Sequence, residues 1–255
     1  MCALAWGSVE LAVGLGLLAA ASTGAGGLAG ALLGGRVGPK LLDAGLGFSS
    51  GVMTVASFTS LLLPAVELSG GPWLPLAGFL LGAAVVASVH RLVPHEHPLL
   101  EKYEGPAWGR KLRAAWLVSL AIVIHNLPEG LAIGAASAVS RDLGLATGLA
   151  IAAQDAPEGL AVALPVLAAS GDAGRAALLA LLSGLTEAVT AALAAAVGGA
   201  ASWLLPLVLG FGAGAMMYVV SHEALPESHR SGYESEATVG FFAGFVLMFL
   251  LDTLL

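Results

Sequence analysis

Apolar runs about 20 residues long follow one another along almost the whole chain, broken only by short polar or Gly/Pro-rich stretches. A run of that length with few charges suits the hydrocarbon core of a bilayer, where a helix satisfies its own backbone groups. Eight runs are read, at roughly 5–34, 39–67, 72–92, 112–140, 143–170, 174–198, 201–227 and 233–254, by the ~20-residue criterion. The first two are long enough to be strongly tilted. The expected architecture is an all-α polytopic membrane protein, with 1–255 forming a single transmembrane domain. The connection 93–111 is the one candidate for a flexible soluble loop.

Composition agrees. Charged residues make up 11% of the chain and hydrophobic ones 58%, against about 25% charged in soluble domains. Such a chain cannot coat a soluble globule, and it is too apolar for disorder. The net charge of −7, from 17 acids and 10 bases, leaves no basic footprint for nucleic acid. The one cysteine, Cys2, excludes an intrachain disulfide and a cysteine-based metal site. The 35 glycines suit close helix packing among lipid. Met1–Glu10 has no basic segment, so a cleaved signal peptide is not expected.

The bases orient the bundle. Arg36 and Lys40 follow the first span, and Arg91, Lys102, Arg110, Lys111 and Arg113 flank the long loop. Arg175 and Arg230 lie at the fifth-to-sixth and seventh-to-eighth junctions, and only Arg141 falls on the other side. The positive-inside rule makes the base-rich face cytoplasmic, loop 93–111 included, and both termini extracytoplasmic.

Polar groups within spans cost roughly 2.5–3.5 kcal/mol per ionisable residue, even on a lenient scale. The fourth span nevertheless contains I-H-N-L-P-E-G-L-A, with His125, Asn126 and Glu129. The fifth contains A-Q-D-A-P-E-G-L-A, with Gln154, Asp155 and Glu158, 29 residues further on. In each motif the polar residues are three or four apart and share one helix face. Pro128 and Pro157 each remove a backbone donor and free a carbonyl one turn earlier, which is tolerated where backbone lines a cavity or is buried in protein. Two antiparallel helices facing each other through these stripes converge one imidazole, two amides and three carboxylates. Oxygen ligands with one imidazole make a site of borderline hardness, open to Zn(II), Fe(II), Mn(II), Co(II) or Cd(II). A proton relay through the same carboxylates is the competing reading.

Glu187 adds a carboxylate near the middle of the sixth span, with no base close in sequence. The seventh ends in S-H-E-A-L-P-E-S-H, where Glu223 and Glu227 are one turn apart. These are read either as a hydrated cytoplasmic end or as a metal exit path. Asp43 and Glu67 read as interfacial, Met53 as a core methionine, and Glu10 and Asp252 as solvated acids or cation attractors near the extracytoplasmic ends. His90, His95 and His97 form a short His-rich tract that is either inert or a weak metal site.

With these motifs in order within an eight-span chain, the sequence resembles the ZIP (Zrt/Irt-like) family of divalent metal transporters. G-F-S-S-G-V-M in the second span and H-E-A-L-P-E-S in the seventh are similar to its prokaryotic, GufA-like branch. The resemblance implies eight helices in a 3+2+3 arrangement with pseudo-symmetric halves, a homodimer, and elevator-type alternating access. It implies one metal on His125, Glu129, Gln154 and Glu158. A second would use Asn126, Asp155 and Glu187, with Glu129 and Glu158 bridging the two ions. It assigns His222 and Glu223 to an exit path, and Met53 and Asp252 to an entrance.

The expected function is therefore transport of zinc, or of cadmium, iron, manganese or cobalt, toward the cytoplasm across a bacterial inner membrane. Metal is the substrate, not a cofactor, and no enzyme activity is expected. The H-E-x-x-H of a zincin is missing, because the histidine after His222-Glu223 is His229. A proton- or cation-coupled carrier of another solute is the alternative.

Overall fold

A computed structural model describes residues 2–34, 38–93, 95–97, 102–104 and 114–254. Among these the chain forms eight helical rods. They are α1 (Cys2–Leu33), α2 (Pro39–Ser69), α3 (Trp73–Leu92), α4 (Ala114–Val139), α5 (Arg141–Ser170), α6 (Ala173–Ala200), α7 (Leu205–Ser228) and α8 (Glu234–Leu254). Six of them, counted over Gly7–Leu33 for α1 and without α4 and α5, are long and apolar enough to cross a membrane. Between α3 and α4 runs a two-stranded antiparallel hairpin, β1 (His95–His97) and β2 (Lys102–Glu104), with His95 paired to Glu104 and His97 to Lys102. The stretch read as a flexible loop thus contains backbone-paired structure. The side chains of His95 and His97 lie outside the described residues.

Local chemistry sets the helix ends. Ser140 and Asp172 accept from the backbone N–H of Leu143 and Arg175 and cap α5 and α6. Gly70 and Gly171, at φ 68° and 67°, close α2 and α5 in the left-handed conformation that glycine adopts without strain. Pro128 and Pro157 lie inside α4 and α5, yet both helices run through them.

Small residues bring the rods together. A Cβ on Gly47 or Gly51 of α2 would fall 2.0–2.1 Å from backbone oxygens of α8, and the same holds from Gly240 and Gly244 of α8 toward α2. Gly78 and Gly82 of α3 meet α7 in this way, and Gly210 and Gly214 of α7 meet α3. In α1, α4, α5 and α6 the corresponding contacts are Gly26 on Ala156, Gly159 on Thr23, Gly130 on Glu187 and Gly134 on Ala191. Each is a spacing only glycine permits, the usual way that helices gain dispersion energy in lipid.

Two rods carry π-helical segments, Ser57–Leu62 in α2 and Val220–Ala224 in α7. Each is followed at once by Leu-Pro, Leu63-Pro64 and Leu225-Pro226. A proline cannot supply the N–H that an unbroken α ladder requires, and the wider turn absorbs the mismatch.

The core is aliphatic and sulfur-rich, with Met53, Leu61, Ile133, Ile151, Leu209, Met216 and Met248 fully buried. The periphery is apolar too: Trp73, Trp203 and Leu254 are more than 70% exposed. Such a surface suits lipid and would aggregate in water.

Candidate metal centre

Glu129 of the first motif meets Gln154, Asp155 and Glu158 of the second inside the bundle. Glu129, Gln154 and Glu187 are fully buried, Asp155 is 1% exposed, Asn126 3% and Glu158 8%. The glycine after each Pro-Glu fixes this depth. Gly130 lets α4 rest on the backbone of Glu187, and Gly159 lets α5 rest on Thr23 of α1. Side chains one residue earlier, Glu129 and Glu158, are thereby set at tight crossings.

Glu129, Asp155 and Glu158 each offer a carboxylate oxygen within 4.8 Å of the others. Two unit negative charges at that separation repel by about 3–4 kcal/mol at an effective dielectric of about 20. Three such groups in a buried setting call for positive charge. Gln154 Nε2 supplies part of it by donating to Glu129 Oε1, while Asn126 Nδ2 donates to a further buried carboxylate, Glu187 Oε1, at 3.0 Å. Gln154 Oε1 is buried and accepts no hydrogen bond among the described residues. Ser49 of α2 donates to the backbone carbonyl of Gln154 at 3.1 Å, tying α2 to this turn of α5. His125 lies on α4, but its side chain is outside the described residues. A cluster of carboxylate oxygens matches a divalent cation with a preference for oxygen donors.

Glu223 is 2% exposed, which overturns the hydrated-end reading for that residue. It sits on the π-helical segment of α7, with its Oε1 2.7 Å from Nε2 of His90, itself 2% exposed, in the last turn of α3. The rings of Tyr218 and His222 pack about His90, both at 5.4 Å between centroids. At the other π-helical segment, Thr59 and Ser60 of α2 donate to the Asp252 carboxylate of α8, Ser60 at 3.0–3.1 Å. Sequence reading missed His90 as the partner of Glu223, with Tyr218 packed on that imidazole, and Thr59 and Ser60 as partners of Asp252. The one available signal was the shared Leu-Pro after both segments. Met53 is buried in the core of α2. Asp43, read as interfacial, is 1% exposed and accepts from Ser231 at 2.9 Å, while Glu67 is exposed.

The His90–Glu223 pair makes a stability prediction. His90→Leu takes the imidazole from a buried carboxylate, a change that costs about 3 kcal/mol or more. Thermal unfolding of purified protein in detergent should show a lowered melting temperature. The double variant His90→Leu/Glu223→Leu should recover most of the loss, and equal melting of single variant and wild type would refute the pairing.

A helical bundle with a lipid-suited surface defines a class, the polytopic integral membrane proteins, and this one gathers carboxylates inside the bundle. Comparison with known proteins specifies it. The family model described as ZIP zinc transporter matches residues 93–252. The chain is 44% identical over 245 residues to the zinc transporter GufA of Myxococcus xanthus, covering 92% of this chain and 95% of that one. It is 42% identical over 228 residues to the zinc transporter ZIPB of Bordetella bronchiseptica, covering 86% and 73%. A zinc transporter ZupT of Corynebacterium efficiens matches at 38% over 143 residues, about half of each chain. The chain belongs to the ZIP family and is similar to its GufA-like members. It is therefore an integral membrane protein of a transporter family, not an enzyme.

Proposed function

We propose that this protein carries Zn(II), and with lower selectivity Cd(II), Fe(II), Mn(II) or Co(II), across a bacterial inner membrane toward the cytoplasm. The observation that carries this reading is the buried convergence of Glu129, Asp155 and Glu158. The names of the relatives, all zinc transporters, support the choice of metal. One ion is held by His125, Glu129, Gln154 and Glu158. A second is held by Asn126, Asp155 and Glu187, with Glu129 and Glu158 between the two. His222 and Glu223 serve the exit, and Met53 and Asp252 the entrance.

All eight rods span the bilayer, with both termini extracytoplasmic, as the bases argue. The 3+2+3 reading draws support from which rods pack together. α1 packs on α6 and α5, α4 on α6, α2 on α8, and α3 on α7. Exchanging α1, α2, α3 with α6, α7, α8, and α4 with α5, returns the same pairings. The π-helical rods α2 and α7 exchange as well, and so do the rods that bear their polar partners, α8 and α3.

Elevator motion is supported by the location of the glycine seams. Contacts in which an added Cβ would fall within 2.4 Å of a backbone oxygen lie within α1, α4, α5 and α6, or within the α2–α8 and α3–α7 pairs. The first group holds every proposed ligand to the two ions and moves as one body against the rest, in a protein that pairs into a homodimer.

The test is uptake by proteoliposomes containing the purified protein, offered each divalent metal in turn with and without a pH gradient. Zinc accumulation that a chelator abolishes is the expected result. Solute flux that chelator leaves unchanged would favour the carrier of another solute instead.

A further inference from the structure

The two amides of the site face opposite demands. An ionised carboxylate only accepts hydrogen bonds, so the end of an amide that touches it is the NH₂. A cation takes lone pairs, which an amide offers only through its oxygen. In the structure Gln154 Nε2 donates to Glu129 and Asn126 Nδ2 donates to Glu187 at 3.0 Å. The Gln154 oxygen is turned to a place where it is fully buried and accepts nothing among the described residues. One amide cannot point its N–H and its oxygen at the same carboxylate-bound cation position.

We infer that Gln154 and Asn126 are two-position groups. With cargo bound, each presents its carbonyl to the cation. Without cargo, each rotates about its last side-chain bond and gives its N–H to Glu129 or Glu187, standing in for the cation. The structure shows the N–H arrangement, and an unloaded site that adopts it recrosses the membrane interior with Glu129 and Glu187 hydrogen-bonded. The orphaned Gln154 oxygen is consistent with a group held in one of two settings: buried polar atoms without a partner are disfavoured, and rotation onto a cation would satisfy it. The amides are positioning residues for the return step as well as ligands in the forward one. This rests on the reading that the site carries a transported cation.

Gln154→Glu and Asn126→Asp keep an oxygen ligand and remove the N–H donor. Zinc entry into zinc-free liposomes needs the unloaded site to return, whereas exchange of radioactive zinc outside for unlabelled zinc inside does not. In both variants net entry should fall about tenfold or more relative to exchange, the fold-change that a lost hydrogen bond to a charged group carries. Net entry and exchange that fall by the same factor with both still measurable, or that both stay at wild-type rates, would overturn the proposal. Should a variant carry no flux at all, the infrared difference spectrum of the wild-type protein with and without zinc decides. A shift of a side-chain amide carbonyl band on adding zinc is expected, and a spectrum without one would overturn the inference. Wild-type protein that moves no zinc in either assay would refute the transport reading itself and not the amide rotation.

Discussion

Zinc uptake by cells producing the Glu129→Ala variant should fall about a hundredfold or more below that of cells producing the wild type. Glu129 is fully buried, joins the carboxylate cluster with Asp155 and Glu158, and accepts from Gln154. Removing it deletes a proposed ligand and also leaves the Gln154 N–H without its acceptor. Even residues that only orient metal ligands carry about 10–100-fold in affinity, so a ligand at the centre of the cluster sets a larger effect. Glu158→Ala should behave alike. The measurement is uptake of radioactive zinc at matched amounts of protein in the membrane. Wild-type uptake in the Glu129→Ala variant would sink the account of the site.

The second large effect is on the purified protein. Zinc bound by carboxylate and imidazole groups requires them deprotonated, so binding releases protons and weakens as pH falls. Three carboxylates of the cluster offer oxygens within 4.8 Å of one another, so any proton they hold gives way when the cation binds. Zinc added to protein in weakly buffered detergent solution should release about one proton or more per ion bound. Binding to the folded state alone also stabilises it, by about 2.7 kcal/mol at a hundred times the dissociation constant. The melting temperature should rise with zinc and drop when a chelator removes it. Zinc that neither releases protons nor shifts the melting temperature would contradict a buried carboxylate site.

The bundle was legible from the sequence where the physics is local. Runs of ~20 apolar residues mark a spanning helix whatever surrounds them, and the helical rods lie close to the intervals read from those runs. The approach of Glu129 to Gln154, Asp155 and Glu158 was legible because three- and four-residue spacing defines a helix face before any tertiary contact exists. What depends on partners far along the chain was not. His90 and Glu223 are more than a hundred residues apart, and nothing near either announces the other. Asp43 read as interfacial because it stands near a span end, and it is buried because Ser231 comes to it from beyond α7. The π-helical turns of α2 and α7 left only the Leu-Pro that follows them, a signal shared with many unbroken helices. Glycine abundance announced close packing, but the reciprocal seams of α2 with α8 and of α3 with α7 became visible only with the rods in place.

The central claim is that the cation sits among the buried carboxylates of α4 and α5. Anomalous diffraction at the zinc edge, from crystals of the wild-type protein grown with zinc, tests it most directly. The account predicts a strong peak bounded by Glu129, Asp155 and Glu158, absent from Glu129→Ala crystals grown in the same way. Zinc peaks confined to exposed acids such as Glu67, with none inside the bundle, would contradict it.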